Sequence, residues 1–211
     1  MAGTSSTPKE PIEAGLHIAR CYKMVQIGTV SENVLGKITI MQKVRIGFEF
    51  PELTKVFNEE KGPQPLVFEQ EYTLSMGEKA NLRKMLTSWR GKPFSEDEAK
   101  AFDITKLIGV PCLINITHKA SKSDPAKLYE QISGITPLMK GQTCPPQVNP
   151  SFVLSYDDFD EKKFDSLPDF VKDKMKTSAE YQQMKNPNKD KFVGDDGKPL
   201  QDIDESSDLP F

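Results

Sequence analysis

Few of the chain's reactive side chains fall into a catalytic pattern. Its two histidines, His17 and His118, both sit in strand-like alternation. A catalytic triad or a zinc site would need one of them completed by distant partners. The three cysteines, Cys21, Cys112 and Cys144, are odd in number and none lie two apart. They read as buried thiols of a reducing compartment rather than a disulfide framework or a zinc knuckle. Asp157-Asp158-Phe159-Asp160-Glu161 has the carboxylate density to hold Mg²⁺. Glu161-Lys162-Lys163 imitates a Glu-x-Lys nuclease element, but the only Pro-Asp pair, Pro168-Asp169, follows it, in the wrong order for that pattern. A surface acidic patch or an acidic helix start is the commoner origin of such a cluster and is preferred. There is no Walker loop and no Gly-x-Gly-x-x-Gly. The expectation is a protein that binds without catalysis, with no cofactor and no metal.

Cations and aromatic rings carry the sharper signal. Lys37, Lys43 and Arg45 share one side of a long alternating strand, and Arg20 and Tyr22 share the outward side of the strand before it. Asn115, Thr117 and Lys119 share one side of a later strand, whose partner points Tyr129 outward. Binding a single nucleic-acid strand needs cations along the backbone path and flat rings under the bases. Trp89-Arg90-Gly91-Lys92-Pro93-Phe94 adds a tryptophan beside two cations. Trp89 closes the helical stripe Leu82-Met85-Leu86, which assigns it to a core. Arg83, Lys84, Arg90 and Lys92 are then left to meet phosphate. The dull alternative is an ordinary solvated face.

The elements that must position these residues follow from period. Residues 16–27 read as a strand with Ala19, Cys21, Val25 and Ile27 inward and Arg20, Tyr22 and Met24 outward. Residues 37–50 are the clearest strand, with Ile38, Ile40, Val44, Ile46, Phe48 and Phe50 on one parity. A loop over 51–65 leads to a strand over 66–75. Helices are expected over 77–90, capped by Ser75 or Gly77, and over 95–108, where Ser95 and Glu98 have capping-box spacing. Strands over 110–118 and 127–136 read as a hairpin. Residues 151–156 suggest an edge strand and 165–184 one helix. The order of strands and helix is that of a mainly β, five-stranded OB-fold-like barrel with one or two helices between strands 3 and 4. A C-terminal helix and a disordered tail follow; a β-sandwich or other small α+β sheet is the alternative.

The chain has 211 residues, 36% hydrophobic and 28% charged, enough for one domain with a tail. Residues 1–150 hold 19 basic and 16 acidic side chains, and residues 151–211 hold 9 and 15. That asymmetry is typical of a body with an acidic interaction tail. No apolar run approaches a membrane span, and the start has no signal-peptide character, so the expected compartment is the cytoplasm.

The last ten residues are Asp202-Ile203-Asp204-Glu205-Ser206-Ser207-Asp208-Leu209-Pro210-Phe211. They resemble the acidic tip of bacterial single-stranded DNA-binding proteins, with Ser206-Ser207 standing where that tip has a denser acidic run. A partner takes the Phe211 ring into an apolar pocket and a carboxylate onto a cation, while the acids speed the encounter. With the stretch from Lys79 to Phe94, the chain resembles phage single-stranded DNA-binding proteins associated with replication and recombination. The resemblance implies an OB-fold and sequence-tolerant single-strand binding. It also implies recruitment of replication partners by Asp202, Asp204, Glu205, Asp208, Leu209, Pro210 and Phe211. The expected layout is a flexible arm at 1–14, an OB-like domain at 15–150, an extension with a helix at 151–185, and a disordered acidic tail at 186–211. The compartment would then be the infected host's cytoplasm, with no membrane partner, and a homo-oligomer stands open. Two rivals remain: a recombination or annealing accessory with little intrinsic single-strand affinity, and a nuclease using the 157–161 carboxylates.

Overall fold

The computed structural model describes residues 11–187 apart from 35, 122, 123 and 125–127. The apolar row Val44, Ile46, Phe48 and Phe50 organises it. All four are buried in strand β2 (Lys37–Val56), and a solid apolar row on one strand face demands a packed layer beneath it. β2 pairs antiparallel with β1 (Gly15–Val34) on one side and with β3 (Pro63–Thr73) on the other. β4 (Pro111–Ala120) lies antiparallel on the first part of β1, with Gly15 opposite Ile116 and Arg20 opposite Pro111. β5 (Leu128–Thr136) returns along β4. Short β6 (Phe152–Leu154) runs parallel to β1 at Lys23–Val25. The protein is thus mainly β: one six-stranded sheet in the order β3-β2-β1-β4-β5, with β6 beside β1.

Among the described residues no backbone ladder joins the edge strands β3 and β5, so the sheet is not closed. One side chain spans the gap: the Ile132 amide donates to Gln70 Oε1 at 3.1 Å. Helix α1 (Asn81–Arg90) packs on both edge strands. Its stripe Leu82, Leu86 and Trp89 enters the core with Ile114, Ile116, Ile132 and Ile135. Gly91 ends α1 in the left-handed region at φ 70°, where a side chain would be strained. The expected start at 77 is too early. Helix α1 opens at Asn81 after a turn, and Ala80 at its N-cap makes no side-chain bond. The second expected helix divides into α2 (Glu96–Lys100), which carries the Ser95–Glu98 capping box, and a 3₁₀ turn at Ile104–Leu107.

The single helix expected over 165–184 is three: α3 (Glu161–Asp165), α4 (Asp169–Lys176) and α5 (Ala179–Lys185). Pro168 and Ser178 stand at the N-caps of α4 and α5 and break the run. Phe164, Leu167, Val171 and Met175 from this region form a second core with Val25, Ile27, Val30 and Leu154. The segment after residue 150 therefore shares β1 with the main sheet. This packing corrects the expected parity of β1. The strand is buried on both faces: past a register shift between Cys21 and Lys23, Met24, expected outward, joins Ala19 and Cys21 in the main core, and Val25 and Ile27 belong to the second core; Tyr22, also expected outward, is buried. The approach is close at Gly28, where a Cβ would stand 2.6 Å from the Glu180 carboxylate and 2.7 Å from Ser178. That absence lets Glu180 accept from the Thr29 amide at 2.6 Å and the Thr29 hydroxyl at 2.8 Å.

Ile12 corrects the arm expected at 1–14. It is buried, its amide donates to Glu130 Oε1 at 2.9 Å, and its carbonyl meets His118 Nε2 at 2.7 Å. Residues 1–10 lie outside the described residues.

Candidate nucleic-acid interface

The outer face of β1–β2–β3 carries two of the expected cations, Lys43 and Arg45, and both are already engaged. Arg45 Nε is 2.7 Å from Glu69, and Lys23 is 2.9 Å from the same carboxylate. Lys43 is 2.8 Å from Glu32 and 3.9 Å from Glu71. Lys174 of α4 reaches across to Glu32, and to Glu71 at 2.6 Å. Phe170 of α4 sits 5.1 Å from the Arg45 guanidinium, and the Phe152 ring 5.1 Å from Lys23 Nζ. Four cations thus face three carboxylates under a partial cover of α4 and β6. Burial opposes ionisation of Glu69, but hydrogen bonds and charge from Lys23 and Arg45 outweigh it and hold the carboxyl below its usual range. For Glu32 the same contest is won by Lys174 and Lys43. Lys43 and Arg45 therefore neutralise neighbouring carboxylates, which corrects their reading as an open phosphate path.

Three more expected contacts are structural. Arg20 donates to the carbonyls of Gly109 at 2.6 Å, Pro145 at 2.8 Å and Cys144 at 3.3 Å. Its fork ties the loop before β4 to the proline-rich strap that follows β5. Tyr22 is 9% exposed, too enclosed to stack on a base. Burial, then the Glu69 carboxylate, push its phenol pKa up. Arg83 is buried and donates to the carbonyls of Met76 and Phe94, each at 3.1 Å, and to Glu96 at 2.7 Å. Trp89 belongs to the core as its stripe implied, with Nε1 donating to the Pro111 carbonyl at 3.1 Å. Arg90 holds an intermediate place: 3.1 Å from Glu98 and 4.1 Å from the Phe94 ring centroid.

Sequence reasoning missed Glu49. It is fully buried opposite Arg20 on β2 and accepts from the amides of Val148 at 2.9 Å and Asn149 at 2.8 Å, and from Asn149 Nδ2 at 2.8 Å. The pair Arg20–Glu49 holds both ends of the strap 144–149. A charged residue at each of two facing strand positions was the available signal.

The rest of the expected set is open to solvent. Lys37 lies beside the β1–β2 turn, Lys84 on the exposed side of α1 and Lys92 just beyond it. Lys119 and Tyr129 face each other across β4 and β5, both exposed. Thr117 and Gln131 form the next outward pair, and Asn115 Nδ2 donates to Ser133 Oγ at 2.8 Å beyond them. Leu16, 64% exposed, stands opposite Asn115. This strip of one cation, one ring and several amides and hydroxyls is the part of the expected interface that the fold brings together unoccupied. At its upper end Leu16, Ile18, Leu113, Met139 and Gln142 line a cleft of about 280 Å³. A second, more apolar cleft of about 370 Å³ lies beside Trp89, Phe94 and Phe102, rimmed by Arg90 and Lys106.

The remaining motifs have local roles. His17 Nε2 is 2.7 Å from the Glu13 carbonyl. Asp160 caps α3 through the amides of Lys162 and Lys163, and Glu161 pairs with Lys185. Among the described residues no three His, Cys, Asp or Glu side chains converge as metal ligands, and no helix is long and apolar enough to cross a membrane. Cys21 and Cys112 are buried free thiols, and burial pushes Cys21 up to about 12. The tip residues 202–211 lie outside the described residues. No family model matches the chain, and no curated protein does.

Proposed function

We propose that this protein binds single-stranded DNA without sequence preference and without catalysis, in phage replication or recombination, and that its acidic tip recruits replication partners. The supporting observation is the path of the chain. A three-strand meander is followed by α1, which spans the gap between the two edge strands, and then by a hairpin that returns to β1. That order, with Gln70 reaching Ile132 across the gap, fits an OB-like barrel left partly open. The binding strip is then the outward face of β4–β5, where Tyr129 stacks on a base and Lys119 meets phosphate. Exposed Lys84 and Lys92 extend the cationic path along α1, which packs on β5. The acids of residues 202–208 resemble a phosphate backbone and compete for the same cations. The test is anisotropy titration of labelled oligo-dT and a matched duplex at two salt concentrations, with the full chain and with residues 1–201. Single-strand preference that weakens steeply with salt and survives truncation supports the reading. Equal affinity for duplex, or loss of binding on truncation, opposes it.

A second reading is favoured by the neutralised face of β1–β2–β3. With Lys23, Lys43 and Arg45 spent on Glu32, Glu69 and Glu71, that face offers no open cationic path. On that reading it is a recombination or annealing accessory that docks partners and has little affinity for naked single strands. Absence of oligo-dT binding, with retained pull-down of replication proteins by the tip, would decide for it.

A further inference from the structure

Past Lys43 the sheet narrows to a two-stranded ribbon. β1 and β2 stay paired from Thr29–Gln42 to Val34–Lys37. The β2–β3 register ends at Lys43–Thr73, and β6 reaches only Val25. Among the described residues, Lys37–Met41 therefore has no strand on its outer side. A bare ribbon is marginal in water, and an unpaired edge is a template for another strand. This edge is also apolar: Ile38 is 75% exposed and Ile40 37%.

The direction of its backbone groups can be read from the last bond to the neighbouring strand. The Leu74 amide donates to the Gln42 carbonyl at 2.7 Å, so the N–H and C=O of Gln42 point away from β1. Backbone groups alternate sides along a strand, so those of Ile40 and Ile38 point the same way and have no partner strand.

We propose that this edge pairs antiparallel with the same edge of a second copy of the chain, about a two-fold axis at Thr39. Ile38 of each copy then opposes Ile40 of the other. Both positions direct their N–H and C=O outward, so each such pair exchanges both backbone hydrogen bonds. The contact is isologous, as a two-fold axis requires. The isoleucines of both copies join in one apolar patch, and Thr39 meets Thr39. Lys37 stands across from Met41 rather than from another lysine. Charge selects a second copy over a polyanion. Lys37 is the sole charge in 37–41, and Glu32 lies opposite Thr39 on the adjoining strand. The pairing is short, which makes the dimer weak. None of this rests on DNA binding.

Sedimentation velocity on the full chain from about 5 to about 500 µM tests it. The wild-type mass should rise from monomer toward dimer across that range. Ile38→Glu with Ile40→Glu places carboxylates opposite each other across the axis, and the dissociation constant should rise at least about tenfold. Ile38→Glu with Ile40→Lys places opposite charges across the axis and should restore association. Both side chains are exposed, so the thermal melts should match. A chain that is monomeric throughout overturns the proposal. So does a dimer indifferent to the double glutamate. So does a Glu/Lys variant as weak as the Glu/Glu one, because a register pairing 38 with 38 predicts that failure.

Discussion

Replacing Arg20 with alanine separates a structural arginine from a phosphate-binding one. The side chain makes short bonds to the carbonyls of Gly109 and Pro145, at 2.6 and 2.8 Å, and a long one to Cys144 at 3.3 Å. A hydrogen bond to a charged group contributes about 1.5–3 kcal/mol, and the three do not add fully. Arg20 Nε is buried without a partner among the described residues, which offsets part of the gain. The net cost of Arg20→Ala should be about 3 kcal/mol. For a domain of this size that lowers Tm by about 6–12 °C. Arg20→Lys should recover only a fraction, because an ammonium cannot fork to carbonyls on two segments. Thermal unfolding by circular dichroism gives the stability, and oligo-dT anisotropy below the transition gives any DNA effect. A Tm within about 1 °C of wild type, with single-strand affinity down about tenfold, would refute the structural assignment.

Glu49→Gln places an amide nitrogen where the carboxylate accepts three N–H groups; it should cost about 2 kcal/mol and loosen residues 145–150, read as faster amide exchange at Val148 and Asn149. Because Glu69 and Glu32 titrate lower in the folded chain, their contribution is present above the unfolded carboxylate pKa of about 4.3. It is lost as pH falls through the lower folded values. Tm should therefore be level near neutrality and drop below about pH 4.5, with a shallower drop in Lys23→Met, which withdraws one of Glu69's two cations. In the native state a thiol reagent should reach Cys144 first, since Cys21 and Cys112 are buried; prompt labelling of all three would contradict the packing of β1 against β4.

Much of the sheet was legible because alternation reports one buried face, and Val44–Phe50 has one. The same rule misplaced Ile38 and Ile40, which share that parity yet are exposed. Parity says which side a residue faces, not whether anything packs there, and β3 stops before reaching them. On β1 the rule failed in the opposite sense. A register shift between Cys21 and Lys23 breaks the alternation, so Met24 joins Ala19 and Cys21 in the main core, while Val25 and Ile27 turn to the face that the C-terminal helices cover. A cation's sequence context does not reveal its partner either. Lys43 and Arg45 alternate on β2 as Glu69 and Glu71 do on β3, and only the register, Arg45 opposite Glu71, turns two charged rows into one neutral layer. The breaks at Pro168 and Ser178 were visible in the chain. Apolar residues spaced across both breaks outweighed that signal, although α4 buries Val171 and Met175 within its own two turns and α5 buries none of its residues.

The proposed location of the DNA strip is tested most directly by oligo-dT affinity and its salt slope for two double variants, Lys119→Ala/Tyr129→Ala and Lys43→Ala/Arg45→Ala. The first pair is exposed on β4–β5 and the second is spent on Glu32, Glu69 and Glu71. Losing one stacked ring and one phosphate contact should weaken binding by about 10- to 100-fold and flatten the salt slope by about 0.7. The second variant should melt earlier but bind within about twofold of wild type below its transition. The reverse result, with binding lost on removing Lys43 and Arg45 and kept without Lys119 and Tyr129, would place the DNA on the face that α4 covers and contradict the account.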